Sequence, residues 1–244
     1  MELTEYLNEI VDFLKSYLEK SNCSKYVLGL SGGVDSSLCA ALIKKAVGKD
    51  KLLCLMMPIE SLNDDLTDAI TLANTLDISY KVVDATESYK SLLNIIKDNG
   101  DEFDASTKGN LKARLRMSIL YAYAQKNHAL VVGTDNMDER YTGYFTKFGD
   151  GAADLLPLVY LTKSEVVEAS KILGIPASLA ERVPSAGLFE GQTDEKEMGI
   201  LYKDLDSYLL GNEVPKEVKE KIEHLHKISE HKRSEIPTPK PFKR

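Results

Sequence analysis

The 244-residue chain has no tryptophan, only three cysteines, and no excess of positive charge. No apolar run approaches the roughly 18 residues that span a bilayer, and the N-terminus lacks a basic stretch followed by an apolar core. A membrane protein is therefore not expected, and the cytoplasm is the expected location. Cys23, Cys39 and Cys54 have no metal-ligand spacing, and an odd number of them without a secretory signal argues for reduced thiols. With 31 Lys and Arg against 38 Asp and Glu, the net charge of −7 disfavours a broad nucleic-acid surface. An anionic ligand must then be held by locally gathered cations. Internal repeats and low-complexity linkers are also missing.

What is present is ordinary in bulk: 43% apolar and 28% charged residues, enough for one large α/β domain spanning 1–244. The first twenty residues predict an amphipathic helix through Leu3, Leu7, Ile10, Val11, Leu14 and Leu18, whose apolar stripe needs a core or a partner to cover it. Strand-like runs at 26–30, 51–57, 80–83 and 129–132 alternate with helical patterns at 37–47, 64–76, 87–97 and 110–126. That alternation predicts a single doubly wound, Rossmann-like domain: a mainly parallel sheet, flanked by helices, with ligands beyond the carboxyl ends of its strands. Periodicity fails from Gly133 to Leu161 and again from Pro184 to Gly199, and loops of such length are usually functional. Between them Thr162-Lys163-Ser164-Glu165 has the spacing of a capping box and starts a helix. A Lys- and Glu-rich helix follows at 215–230, ahead of a proline-rich tail.

The most informative run is Ser31-Gly32-Gly33-Val34-Asp35-Ser36-Ser37, between the first strand and the next helix. Two glycines let the backbone approach an anion, which then faces the N–H groups and positive dipole end of the helix. The lysine of the Walker loop is missing, and Asp35 stands in the region instead. A carboxylate beside polyphosphate is repulsive unless a cation lies between, so Asp35 reads as a Mg²⁺ ligand with Ser31, Ser36 and Ser37 around the phosphate. The plainer alternative, Ser and Asp merely capping a helix, does not account for glycines, serines and aspartate packed together there.

Ser-Gly-Gly-Val-Asp-Ser after a strand resembles the pyrophosphate loop of the N-type ATP pyrophosphatases (adenine nucleotide alpha hydrolase-like enzymes), which cleave ATP between its α and β phosphates. Further segments occur in order: Asn110 to Met117, Gly133-Thr134-Asp135-Asn136-Met137-Asp138-Glu139, Thr146 to Gly151, Pro184-Ser185-Ala186 with Gly191 to Glu195, and His231-Lys232-Arg233. Together they resemble the ammonia-dependent NAD synthetase family from about Tyr26 to Arg233. Phe189 stands where many members have tryptophan.

Some segments also read from their own chemistry. Thr134 ends a strand on the ligand side, Glu139 offers a second carboxylate for metal, and Lys163 opposes its helix dipole, a placement that suits a bound anion. Arg114 and Arg116 lie two apart on a helix and face different ways. Carried over residue by residue, the resemblance implies ATP at Gly29, Leu30, Ser31, Gly32, Gly33, Val34, Asp35, Ser36, Thr134, Lys163 and Ser185, and Mg²⁺ at Asp35 and Glu139. It implies deamido-NAD at Arg114, Lys147, Asp154, His231 and Lys232, leaving Arg116 as surface or interface charge. Asp35, Lys163 and Asp154 become the catalytic candidates, Asp154 for positioning or deprotonating ammonium. The implied activity is a carbon–nitrogen ligase of NAD biosynthesis, working as a homodimer, that adenylates the nicotinate carboxylate and lets ammonia displace AMP. No glutaminase domain or catalytic cysteine setting is visible, so free ammonia is the expected nitrogen source. Two rivals are another adenylating member, acting on a tRNA base or as a GMP synthetase core, and a non-catalytic adenine-nucleotide-binding protein. The first usually carries a cysteine pair, a basic extension or a glutaminase domain, and the second would not need two metal carboxylates and Lys163 together.

Overall fold

The computed structural model describes residues 1–60, 63–180 and 193–242. Four parallel strands, β1 (Lys25–Gly29), β2 (Leu52–Met56), β3 (Tyr80–Val82) and β4 (Ala129–Val132), form one sheet in the order β3-β2-β1-β4. In register, Val27 lies beside Leu53 on one side and Val131 on the other. Parallel strands buried on both faces need apolar residues at successive positions, and β1 supplies them. Tyr26 and Leu28 enter a core covered by α1 (Leu3–Lys20), α2 (Val34–Val47), α3 (Asn63–Thr75) and α7 (Lys163–Ile172), whereas Val27 faces a second core under α5 (Ala105–Lys126).

The chain steps outward from β1 to β2 to β3, with α4 (Thr86–Asp98) following, then returns to the opposite side of β1 for β4. That reversal opens a crevice at the carboxyl ends of β1 and β4, where open α/β sheets bind ligands. Gly133 closes the end of β4 against the returning chain. A Cβ there would sit 2.6 Å from Leu156 and 2.7 Å from Ala153, so only glycine fits.

The sequence pattern and the fold diverge in a few places. Leu7, Ile10, Leu14 and Leu18 of α1 are buried against α2 and α7 within this chain, so the stripe does not by itself call for a partner. Helix α5 begins at Ala105, capped by Asp104, ahead of the apolar periodicity that marks it in sequence. The stretch 133–161 contains a six-residue helix, α6 (Met137–Thr142), too short to show a period. Four further short helices carry the C-terminal third beside α11 (Lys216–Ile228): α8 (Ala177–Ala180), α9 (Asp194–Met198), α10 (Tyr202–Leu209) and α12 (Glu230–Arg233). No described helix is long and apolar enough to cross a membrane.

Candidate active site

At the carboxyl end of β1 the glycine loop turns back on itself before α2. Gly32 has φ +84°, a region open to glycine, and Gly33 is the helix N-cap. The serines hold the turn shut: the Ser31 and Ser36 hydroxyls lie 3.1 Å apart, Ser31 Oγ accepts from the Gly33 N–H at 3.2 Å, and the Ser36 and Ser37 hydroxyls donate to Gly33 O at 3.0 and 2.7 Å. Preceding them, Gly29 and Leu30 lead out of the strand. Helix geometry leaves the first-turn N–H groups of α2 without intrahelical acceptors, directed at the crevice with the positive end of the dipole.

Asp35, in that first turn, meets residues from two other helices. Lys163 Nζ lies 2.6 Å from Asp35 Oδ2 and 3.4 Å from Glu139 Oε1. Asn136 ties the same two carboxylates together: its Nδ2 donates to Asp35 Oδ1 at 2.9 Å, and its backbone N–H donates to Glu139 Oε2 at 3.2 Å. The Tyr202 ring lies below the ammonium, its centroid 5.1 Å from Nζ, and the Tyr202 hydroxyl donates to Asp194 Oδ2 at 3.0 Å. Burial opposes the charge on Lys163, but Asp35 and Glu139 outweigh it and raise its pKa, so it stays an ammonium. Burial pushes the Glu139 carboxyl upward; Lys163 pulls it down and Asp35 pushes it up again. Asp135, just beyond the carboxyl end of β4, is pushed up to about 7 by burial first and by neighbouring carboxylates, against Arg140.

This is a site with surplus negative charge around one cation. Each carboxylate gives one oxygen to Asn136 and the other to Lys163. Two hard oxygen donors fit Mg²⁺. Among the described residues no group of three or more His, Cys, Asp and Glu is arranged to hold a metal, so further oxygens would have to come from water or phosphate.

A second group of residues from the sequence reading gathers around α5 and the C-terminal segment. An Arg114 guanidinium N–H donates to Lys147 O at 3.2 Å, and the Lys147 ammonium donates to His231 O. Lys232 Nζ donates to Gly143 O and Phe145 O, both at 2.7 Å, which pins the segment after α6. Thr134 is half-buried just beyond β4, on the ligand side of the sheet. Asp154 stands apart from the Asp35–Lys163–Glu139 cluster. It is exposed, and its carboxylate accepts from the Val131 N–H at 2.7 Å and the Tyr121 hydroxyl at 3.4 Å, lying along the edge of β4. Ser185 and Phe189 lie outside the described residues.

Arg116 is half-buried rather than free surface charge, its Nε donating to Met57 O at 3.0 Å beside the carboxyl end of β2. Asn136 and Tyr202, which position the carboxylates and the lysine, carried no assigned role in the sequence reading. Asn136 did leave a signal, since Asn followed three residues later by Glu is a capping box, and both halves of it form. Tyr202 left none, because its link to Lys163 exists only in the folded chain.

A glycine-rich anion loop at the switch point of a parallel sheet, faced by two carboxylates and a lysine, defines a nucleotide-binding α/β protein equipped for phosphate chemistry. The NAD synthase family model matches residues 6–236, and the chain belongs to that family. An NH3-dependent NAD(+) synthetase from Mesoplasma florum is 48% identical over 244 residues, all of both chains. Among solved structures, an NMN synthetase from Francisella tularensis superimposes with TM-score 0.93 at 40% identity, covering 98% of this chain and 99% of that one. An NH3-dependent NAD synthetase from Campylobacter jejuni, in complex with the nitrate ion, gives TM-score 0.79 at 28% identity over 98% of this chain and all of that one.

Proposed function

We propose that this chain is an ammonia-dependent ligase that converts deamido-NAD to NAD at the expense of ATP, releasing AMP and pyrophosphate. The observation that carries this reading is the Asp35–Lys163–Glu139 cluster set against the glycine loop, in a chain of the NAD synthase family. A carboxylate is a poor electrophile because its leaving group would be oxide. The nicotinate carboxylate oxygen therefore attacks the α-phosphorus of ATP, the α–β bridging P–O bond breaks, and pyrophosphate leaves. Ammonia then adds to the carbonyl carbon of the acyl adenylate, loses a proton, and AMP departs.

The first-turn amides of α2 and the Lys163 ammonium provide fixed positive charge where pyrophosphate gains negative charge, which is stabilisation of the transition state by preorganised groups. Asp35 and Glu139 would hold Mg²⁺, which supplies neutralisation of phosphate charge when bound. Gly29 to Ser36, Thr134, Lys163 and Ser185 would line the ATP site. Arg114, Lys147, His231 and Lys232 would hold the dinucleotide, the first three linked through Lys147. The resemblance alone assigns Asp154 to the ammonium, since its carboxylate sits at the edge of β4, apart from the Lys163 cluster. Two of the three thiols are poor nucleophiles, in keeping with free ammonia as nitrogen source: burial raises the Cys39 pKa well above its usual value and pushes the Cys54 thiol up to about 12. The reading places the enzyme in the cytoplasm as a homodimer.

The higher TM-score to an NMN synthetase favours a second reading, amidation of the mononucleotide instead of the dinucleotide. Both acceptors carry the same pyridine carboxylate. Purified protein with Mg-ATP and ammonium, offered each acceptor in turn, separates them by kcat/KM. Deamido-NAD is expected to be the better acceptor by about tenfold or more. Preference for the mononucleotide would establish the second reading, and amidation of neither would overturn both.

A further inference from the structure

Helix α7 presents Lys163 from its first turn, and that turn is held with unusual completeness. A helix start leaves its first backbone N–H groups unpaired, and a capping box satisfies two. Here the box forms, with the Thr162 N–H on Glu165 Oε2 at 2.8 Å and the Glu165 N–H on Thr162 Oγ1 at 3.4 Å. The two N–H groups between them are taken by carboxylates from elsewhere in the chain. The Lys163 N–H donates to Asp138 Oδ2 at 2.9 Å and the Ser164 N–H donates to Asp206 Oδ2 at 3.0 Å, across 25 and 42 residues of sequence.

Both acids are buried, Asp138 at 0% and Asp206 at 5% exposure, and the outer oxygen of each, Oδ1, is buried without a partner. A buried carboxylate oxygen left alone is costly, and the Asp138 and Asp206 side chains lie within reach of one another. The Oδ2 atoms are what tie both acids to the first turn of α7. The elements involved are also those that touch the lysine side chain. Asp138 neighbours Glu139 on α6, which contacts Nζ, and Asp206 shares α10 with Tyr202, whose ring lies below Nζ. Each of the two helices thus holds this turn by a backbone N–H, that of Lys163 for α6 and that of Ser164 for α10, and also meets the lysine side chain.

We propose that Asp138 and Asp206 are positioning residues for Lys163: a buried carboxyl pair that fixes the first turn of α7, and with it the lysine, in register with Asp35 and Glu139. This deepens the proposed function and rests on Lys163 acting in that site.

Four variants test it, Asp206→Ala, Asp206→Asn, Asp138→Asn and the double Asn variant, read by kcat, by KM for deamido-NAD, and by the Lys163 ammonium resonance in ¹⁵N-lysine protein. A single carboxamide still accepts from α7 through its carbonyl and donates its NH₂ to the remaining carboxylate. Each single Asn variant should therefore keep kcat within about threefold of wild type, while Asp206→Ala loses about tenfold, with KM nearly unchanged. The double variant turns two NH₂ groups on each other and should lose about tenfold more than the product of the singles, with the Lys163 resonance displaced. Asp206→Asn as impaired as Asp206→Ala, or a folded double variant no worse than that product, would overturn the proposal. Should the double variant not fold, the Ala and Asn comparison at 206 decides alone. The lysine resonance, read without substrate, keeps this result separate from any failure of the proposed reaction.

Discussion

Lys163 illustrates how a residue can be chemically legible before its surroundings are. A lysine in the first turn of a helix opposes the dipole, and the fold resolves the conflict with Asp35 at 2.6 Å and Glu139 at 3.4 Å. Asp35 inside a glycine loop was equally readable. Substituting Asp35→Asn keeps the shape but removes the charge, so NAD formation should fall by about 100-fold or more while circular dichroism is unchanged. Near-normal turnover at limiting Mg²⁺ would remove Asp35 from the metal assignment. Asp135 gives a prediction in pH. Its carboxyl, about 7 in the fold, would be near 4 unfolded, so between those values the native state binds a proton that the unfolded state has lost. Its contribution therefore favours folding at low pH and is lost as pH rises through 7. Asp135→Asn removes that dependence, so Tm of the variant relative to wild type should rise between pH 5 and pH 8, by about 2–4 °C for each kcal/mol of linkage, in chelator-treated protein. A difference that stays flat or falls over that range would contradict the shift.

At the scale of elements, long periodic segments were readable and short ones were not. Helix α1 lies where its apolar stripe puts it, because it buries a face that repeats, and β4 lies where its apolar run does. Helix α6 has six residues, fewer than two turns, and buries Asp138 and Thr142 instead of an apolar stripe. Its trace in the sequence is its cap, Asn136, which is also the residue that joins Asp35 to Glu139. The same reasoning explains why Asp138 and Asp206 were silent, since their partners are backbone groups 25 and 42 residues away. Asn136→Ala removes a cap and a carboxylate partner together. It should destabilise the protein by about 1–2 kcal/mol in denaturant titration and lower kcat by about tenfold or more. Loss of stability with kcat intact would confine Asn136 to capping.

For the whole molecule, the strand order β3-β2-β1-β4 puts the glycine loop and Thr134 on the two sides of one crevice, which the strand-and-helix alternation implied. The homodimer is a separate matter, because α1 buries its stripe within the chain and the expectation rests on the family resemblance. Sedimentation at micromolar concentration should give twice the 27.1 kDa chain mass, and an active monomer would remove the dimer. The chemistry itself is tested most directly by isotope. Deamido-NAD labelled with ¹⁸O in its nicotinate carboxylate, turned over completely with Mg-ATP and ammonium, should deliver one labelled oxygen to AMP, because the attacking carboxylate oxygen stays on the α-phosphorus when ammonia displaces it. Label in inorganic phosphate, with ADP as the product, would instead reveal an acyl phosphate and contradict adenylation at this loop.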